Sequence, residues 1–350
     1  MADQKLIFEV KALSEHFTRE DNFEMKLLEI LQPKNPVQNL SIMDNLSTHS
    51  RAIFTFSLPK ELEKASQQML YDVQQKIFDD KHDDWSKVTS LSLEIRNNEG
   101  YLVLDDLDYA NTIYNVRIRV KSKFANDDEE SWSPYSEISF KTSPKAPEAV
   151  PITCPNCFNV MDNGNVFVYW MEVQKRHQNA GNFLYLVRAW NETYDEVITA
   201  RQNETAMIVP ETFPAKSLLI KLFSSNSVGN STHFSQIYVP LHKNSIKMPI
   251  LKLRKELVNE NYRISWKMLT SLEVESFSVI WCKQQSLLLN QCDGAINIET
   301  VPSTTNEFVV DASVTKQFGV AANFKNIEQL HGFVWAECTA AKESGKVQMS

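Results

Sequence analysis

The chain has 350 residues, more than one compact domain ordinarily holds, and its apolar (43%) and charged (23%) fractions are those of a folded globular protein rather than a disordered chain or coiled-coil rod. Eight glycines leave few loops for phosphate cradling, and a net charge of −8 gives no electrostatic footprint for nucleic acid or an anionic membrane surface. No stretch approaches the roughly 18 apolar residues of a membrane span, and the opening MADQKLIFEV has none of the marks of a secretory signal.

In residues 1–31, Phe8, Val10 and Ala12 alternate, a polar turn follows, and Phe23, Met25 and Leu27 alternate again. This predicts a terminal hairpin belonging to a truncated upstream module, with a short helix over Asn22 to Leu31 as the alternative. The proline-bearing stretch Gln32 to Pro36 then opens a first unit over 32–145. One large aromatic, Phe56, sits in its early strand AIFTFSLP, and Tyr71 and Val73 alternate in the next. From Tyr114 the period-two pattern places Tyr114, Val116, Ile118 and Val120 on one buried face and Arg117, Arg119 and Lys121 on the other.

A second proline cluster, Thr142 to Pro151, separates the first unit from a second over 146–242, and Val239 to Pro249 separates that from a third over 243–350. Both later units repeat the theme: Trp170 and Trp266 take the place of Phe56, Tyr185/Val187 and Phe277/Val279/Trp281 follow, and then come Leu218/Ile220/Leu222 and Phe318/Val320/Ala322. Helical periodicity over three turns is absent. A repeat of roughly 100 residues built from short alternating strands predicts an all-β chain of tandem sandwiches.

The strand aromatics, the Tyr114 corner and the repeat length resemble fibronectin type III modules, a branch of the immunoglobulin-like sandwiches. Trp132-Ser133-Pro134-Tyr135-Ser136, following the Tyr114 strand, is similar to the Trp-Ser-x-Trp-Ser box of class I cytokine receptors, with Tyr135 in the second aromatic place. Such a box stacks against cations, and the outward Arg117, Arg119 and Lys121 are the residues expected to form that ladder. Trp281-Cys282, Cys292 and Val334-Trp335-Ala336-Glu337-Cys338 resemble membrane-proximal modules of the long receptors of this class, so the resemblance covers about residues 35 to 341. Departures are Tyr135 in place of Trp, a longer Leu107 to Tyr114 interval, and Leu218 and Phe318 where the corner tyrosine would stand.

The resemblance implies a cell-surface receptor ectodomain that binds a helical (four-helix) cytokine and, in a full-length protein with a single transmembrane segment absent from this chain, signals through an associated Janus kinase and a STAT factor. It also admits a receptor dimer. Loops between strands carry the ligand in this class, which makes Asp127, Asp128, Glu129, Glu130 and the segment Lys60 to Gln68 candidate ligand-binding residues. A bridge between Cys282 and Cys292 is likewise implied, worth roughly 2 to 3 kcal/mol from closing a loop of about ten residues; a buried thiol beside Trp281 is its alternative. The functional alternative is a fibronectin-module adhesion or extracellular matrix protein, and a third reading is a cytosolic scaffold.

No GxSxG, HExxH or phosphate-loop motif occurs and the seven histidines lack metal spacing, so neither an enzyme, a metal site nor a cofactor is expected. Cys154-Pro-Asn-Cys157 lacks the βαβ setting of a redox motif and the second ligand pair of a zinc site, which leaves a local bridge or two free thiols. Five cysteines leave at least one unpaired within the chain, with the pairing of Cys154, Cys157 and Cys338 open. Asn39, Asn45, Asn191, Asn203 and Asn230 head five glycosylation sequons, a vote for secretion against the missing leader.

Overall fold

The computed structural model describes residues 33–336 apart from 61, 63–67, 79–83, 162, 202–203, 210–216, 242–250, 270–271, 285–291 and 313–315. The expected hairpin of residues 1–31, most of the Lys60 to Gln68 segment, Asn203 and Cys338 therefore lie outside the described residues. The chain divides into two compact units, one ending at Lys145 and the other beginning at Ala146.

The first unit is one sandwich. Strands β1 (Gln38–Ile42), β2 (Ala52–Ser57), β6 (Glu99–Leu104) and β5 (Leu91–Arg96) form one sheet in the order β1-β2-β6-β5. The facing sheet runs β4 (Ser86–Lys87), β3 (Met69–Ile77), β7 (Ile113–Ser122), β8 (Ser136–Lys141). Asn97 and Asn98, both at positive φ, make the two-residue turn between β5 and β6 whose twist matches that of the strands. Alternation fills the interior with Phe54, Phe56, Leu102, Leu104, Val116, Ile118 and Val120. At the corner, the backbone N–H of Tyr109 donates to the Tyr114 hydroxyl at 3.0 Å, satisfying a buried phenol.

The second unit holds two sandwiches. In one, β9 (Phe158–Val160), β10 (Val166–Tyr169) and β13 (Ala206–Val209) face a sheet ordered β12 (Asp195–Arg201), β11 (Leu184–Trp190), β14 (Leu218–Ser225), β15 (Ser235–Val239). In the other, β16 (Leu251–Val258), β17 (Asn261–Met268) and β20 (Glu307–Asp311) face β19 (Cys292–Pro302), β18 (Ser276–Gln284), β21 (Lys316–Asn323), β22 (Val334–Trp335). Three strands facing four, with the middle pair of the four joined by a crossover, is the fibronectin type III arrangement. The strand aromatics Phe56, Trp170 and Trp266 are buried in their respective cores.

The second and third sandwiches meet sheet against sheet. All four residues of β10 are buried: Val166 and Val168 share their face with neighbouring Trp170, which packs on Tyr185 in the sandwich's own core. Phe167 and Tyr169 point the other way, Tyr169 packing 6.1 Å from Phe333 and 5.6 Å from Trp335. From the third sandwich, Ile280, Cys282 and Ala321 join this core, while Phe277, Val279, Phe318 and Val320, of opposite phase, fill its own. On this face of the third sandwich Gly319 leaves room for its own neighbours, since a Cβ there would lie 2.8 Å from Ile280 and 3.2 Å from Phe333.

Candidate functional site: a stacked ladder on the first sandwich

Strand β7 turns Val116, Ile118 and Val120 inward and Arg117, Arg119 and Lys121 outward. The WSPYS segment crosses this outer face because its serines take over strand hydrogen bonds: Ser133 N–H donates to the Val120 carbonyl (2.9 Å), and Val120 N–H donates to Ser133 Oγ (3.1 Å). Three residues on, the Ser136 hydroxyl donates to the Val37 carbonyl at 2.5 Å and ties β8 to the entrance of the opposite sheet. Both serines thus fix the backbone and leave the two ring positions, Trp132 and Tyr135, to lie over the cations.

The result is an alternating stack. Lys121 Nζ lies 5.0 Å from the Trp132 ring centre, and the Arg119 guanidinium is held between Trp132 (4.8 Å) and Tyr135 (4.5 Å). Arg117 lies between Tyr135 (4.1 Å) and Trp85 (4.2 Å), and Lys76 closes the far end 4.7 Å over Trp85. Trp85, Lys76 and the acceptors on β3 were not among the residues expected from the sequence. The register of β3 against β7 could have supplied the acceptors, since Asp72 pairs with Arg119 and Gln74 with Arg117. Trp85 arrives from a loop, where alternation gives no signal.

Stacking occupies the faces of the guanidinium planes and leaves their edges to in-plane hydrogen bonds. Arg117 donates through Nε (3.0 Å) and Nη2 (2.6 Å) to Gln74 Oε1, and Arg119 donates through Nε to Asp72 Oδ2 (2.9 Å). The same carboxylate oxygen accepts from the Tyr135 hydroxyl (2.8 Å) and from Gln74 Nε2 (3.0 Å). Arg119 and Asp72 are only 12% and 13% exposed, so this pair is largely withdrawn from water. Burial, reinforced by the bond to Asp72, pushes the Tyr135 phenol up to about 12. Burial opposes the charge on Arg119, but its hydrogen bonds to Glu129 and Asp72 outweigh that and hold its pKa above the ordinary value.

The acidic stretch before the box braces the ladder. Asp127 accepts from Lys121 Nζ at 2.5 Å and is held below the usual carboxylate range by that bond. Asp128 caps the short 3-10 turn Glu129–Ser131, accepting from Ser131 N–H at 2.9 Å, and Glu129 pairs with Arg119. Glu130 is exposed, and so is Phe124 nearby in the same loop. Among the described residues no His/Cys/Asp/Glu group has the geometry to hold a metal ion.

A reduced version of the box occurs on the second sandwich, unmarked by any sequence motif. Ser231 N–H donates to the Ser224 carbonyl (2.8 Å), Ser224 N–H donates to Ser231 Oγ (3.1 Å), and the Ser235 hydroxyl donates to the Pro151 carbonyl (2.5 Å). Phe234 takes the ring position, with Lys221 Nζ 4.3 Å over it. Asn230 stands where Trp132 stands in the first sandwich, and the two serines are one residue further apart.

The cysteines are joined as Cys282–Cys292, linking β18 to β19, and as Cys154–Cys157, a local bridge. Asn39, Asn45 and Asn230 are exposed, whereas Asn191 is nearly buried, with a buried Nδ2 and an Oδ1 that accepts from Thr193 N–H at 2.9 Å. No helix among the described residues is long and apolar enough to cross a membrane.

No family model matches the chain. A curated Drosophila melanogaster protein named "Cytokine receptor" is 24% identical over 336 residues, which is 92% of this chain and 25% of that protein. The chain thus spans about a quarter of that relative's length. Among solved structures, the crystal structure of the chicken CNTN1 FN1–FN3 domains covers 87% of this chain and all of its own, at 14% identity and a TM-score of 0.44. The described residues form a series of β-sandwiches with the fibronectin type III fold, and the chain is similar along nearly its whole length to a stretch of a cytokine receptor.

Proposed function

We propose that the chain is part of the extracellular region of a cytokine receptor, displayed on the cell surface by a single-pass protein. It binds a four-helix cytokine and passes the signal inside through a Janus kinase and a STAT factor. The observation that carries this reading is the ladder: two arginines, each clamped between two rings, on a strand edge built by the two serines of WSPYS. An adhesion or matrix module needs no such stack, and the similarity to a cytokine receptor over 92% of the chain supports the same choice.

The ladder is internally satisfied, so it acts as a stiff base rather than as the contact surface itself. It sets the position of the loop carrying Asp127 to Glu130 and Phe124, with Glu130 and Phe124 free to meet a ligand. In a two-sandwich elbow, an upstream module supplies the other half of that surface, and binding energy concentrates in a few central side chains surrounded by a dry rim. The test is a titration of four-helix proteins secreted by the same organism against this chain and against a version extended upstream by one whole module. Saturable tight binding only by the extended version, weakened when Asp127 to Glu130 become serine, supports the elbow. Tight binding by the present chain alone moves the ligand surface to the second or third sandwich, and absence of saturable binding by either sinks the receptor reading.

A further inference from the structure

The sequence Cys154-Pro155-Asn156-Cys157 has neither a redox nor a zinc setting, yet its central asparagine is fully buried. Its side chain leaves the second sandwich altogether. Asn156 Nδ2 donates to the Ala322 carbonyl (3.0 Å) and to Asn323 Oδ1 (2.9 Å), and Oδ1 accepts from the N–H groups of His331 and Gly332, both at 3.0 Å. A primary amide has two N–H donors and two lone pairs, and here all are spent on the third sandwich. No other side chain of that size offers this pattern: Asp lacks the donors, Leu lacks everything polar, and Gln displaces the amide by a methylene.

The partners of Asn156 sit on both sides of the third sandwich's edge. Ala322 and Asn323 end β21, and His331 and Gly332 lead into β22. A second asparagine repeats the grip: Asn159 Nδ2 donates to the Phe333 carbonyl (2.9 Å), and Trp335 Nε1 donates to Asn159 Oδ1 (3.0 Å). Gly332 adopts φ +78°, and a Cβ there would lie 2.2 Å from the Phe158 carbonyl oxygen, so the two backbones touch as closely as glycine allows. Phe333 and Trp335, the partners of Asn159, belong to an aromatic cluster with Phe167 and Tyr169 of β10.

We propose that the Cys154–Cys157 loop is a joint lock: the bridge fixes the loop so that Asn156 holds the third sandwich against the second, and the two move as one stiff strut. The local bridge closes only a short ring, so its contribution to unfolded-chain entropy is small beside that of a long loop. Its value lies in orienting one amide. A buried amide is costly when its partners are misplaced, so the joint has one low-energy angle rather than a range. This inference concerns the joint alone and does not depend on the receptor reading.

The test is hydrogen exchange of the full chain, read by mass spectrometry on peptides from residues 329–336, with β14 and β17 peptides as internal controls. In Asn156→Ala, the amides of His331 and Gly332 lose their acceptor and the clamp opens, so exchange across 329–336 should rise about tenfold to a hundredfold while the controls hold. Asn156→Asp keeps the acceptors but turns an oxygen toward the Ala322 carbonyl and Asn323 Oδ1 and buries an unpaired charge, so the same peptides should exchange at least as fast as in Asn156→Ala. The double variant Cys154→Ser/Cys157→Ser should reproduce the Asn156→Ala pattern in milder form, because the asparagine remains but its loop is loose. Unchanged exchange at 329–336 in Asn156→Ala overturns the lock. A rise of equal size in the control peptides overturns it too, since Asn156 would then support the fold at large. Parent-like exchange in the double cysteine variant removes the bridge from the device.

Discussion

Truncating Arg119 tests whether the ladder is a single cooperative stack. The guanidinium touches Trp132 at 4.8 Å and Tyr135 at 4.5 Å, and in this partly dry setting each contact contributes about 1 kcal/mol. Arg119→Ala also strands Asp72, which is 13% exposed and, among the described residues, keeps only the neutral donors Tyr135 and Gln74. Losing the charged partner of a mostly buried carboxylate adds about 1 to 3 kcal/mol. The expected loss is therefore about 3 to 5 kcal/mol, enough to lower the melting midpoint of a sandwich of this size by more than about 10 °C. Among the described residues Lys76 stacks only on Trp85, at the open end, so Lys76→Ala should cost about 0.5 kcal/mol. The assay is denaturant-dependent hydrogen exchange in the full chain, following peptides from β3 and β7 so that the second unit's stability does not enter. Arg119→Lys should fall between, because an ammonium stacks less well and cannot fork toward Asp72 and Glu129. Equal costs for Arg119→Ala and Lys76→Ala, or a loss below about 0.5 kcal/mol for Arg119→Ala, would refute the stack as a stabilising element.

The Tyr135 phenol, raised to about 12 in the folded chain against an unfolded value of 10.0, binds its proton more tightly when folded, so its contribution is complete below pH 10 and is lost as pH climbs from 10 to 12; Tyr135→Phe should flatten that decline in β7 exchange, and an unchanged slope rejects the assignment. Gly100→Ala places a Cβ 2.1 Å from the Phe56 ring, which is buried and cannot swing away, so a loss of about 3 kcal/mol in the first sandwich is expected by chemical denaturation, and a neutral result would mean that Phe56 repacks freely. In material from a secretory host, glycopeptide mapping should find sugar at the exposed Asn39, Asn45 and Asn230 and none at Asn191, whose Nδ2 is enclosed; full occupancy of Asn191 would show that its loop folds differently.

How far the sequence led depended on whether a feature obeyed a period. From Val116 to Lys121 the β7 pattern alternates apolar and cationic residues, so Arg117, Arg119 and Lys121 could be assigned to one side from spacing alone, and the serines of WSPYS supplied the neighbour for them. Asp72, Gln74 and Lys76 obey the same period on β3, but knowing that they face β7's cations requires the strand register, which no single strand encodes. Trp85 obeys no period at all. The reduced box of the second sandwich escaped for a different reason: its function in the fold rests on two hydroxyls bonding to backbone, and serines at a changed spacing beside a phenylalanine carry no distinctive pattern.

The joint between the second and third sandwiches was half visible. Val166-Phe167-Val168-Tyr169 is apolar at every position, which in a strand means cover on both faces, and an isolated sandwich covers only one. The unbroken run therefore demanded a second surface, yet hydropathy cannot say which part of the chain provides it. The answer lay in residues that an apolar count passes over: a glycine at 332 that lets two backbones meet, and asparagines at 156 and 159 whose amides hold the edge of the other sandwich. In a metal or redox motif the sulfurs of Cys154 and Cys157 would be the functional atoms, whereas here the residue between them makes the longer-range bonds. Burial of a polar side chain is what betrays such a residue, because an amide withdrawn from water must find its partners within the protein, and Asn156 finds all of them some 170 positions away.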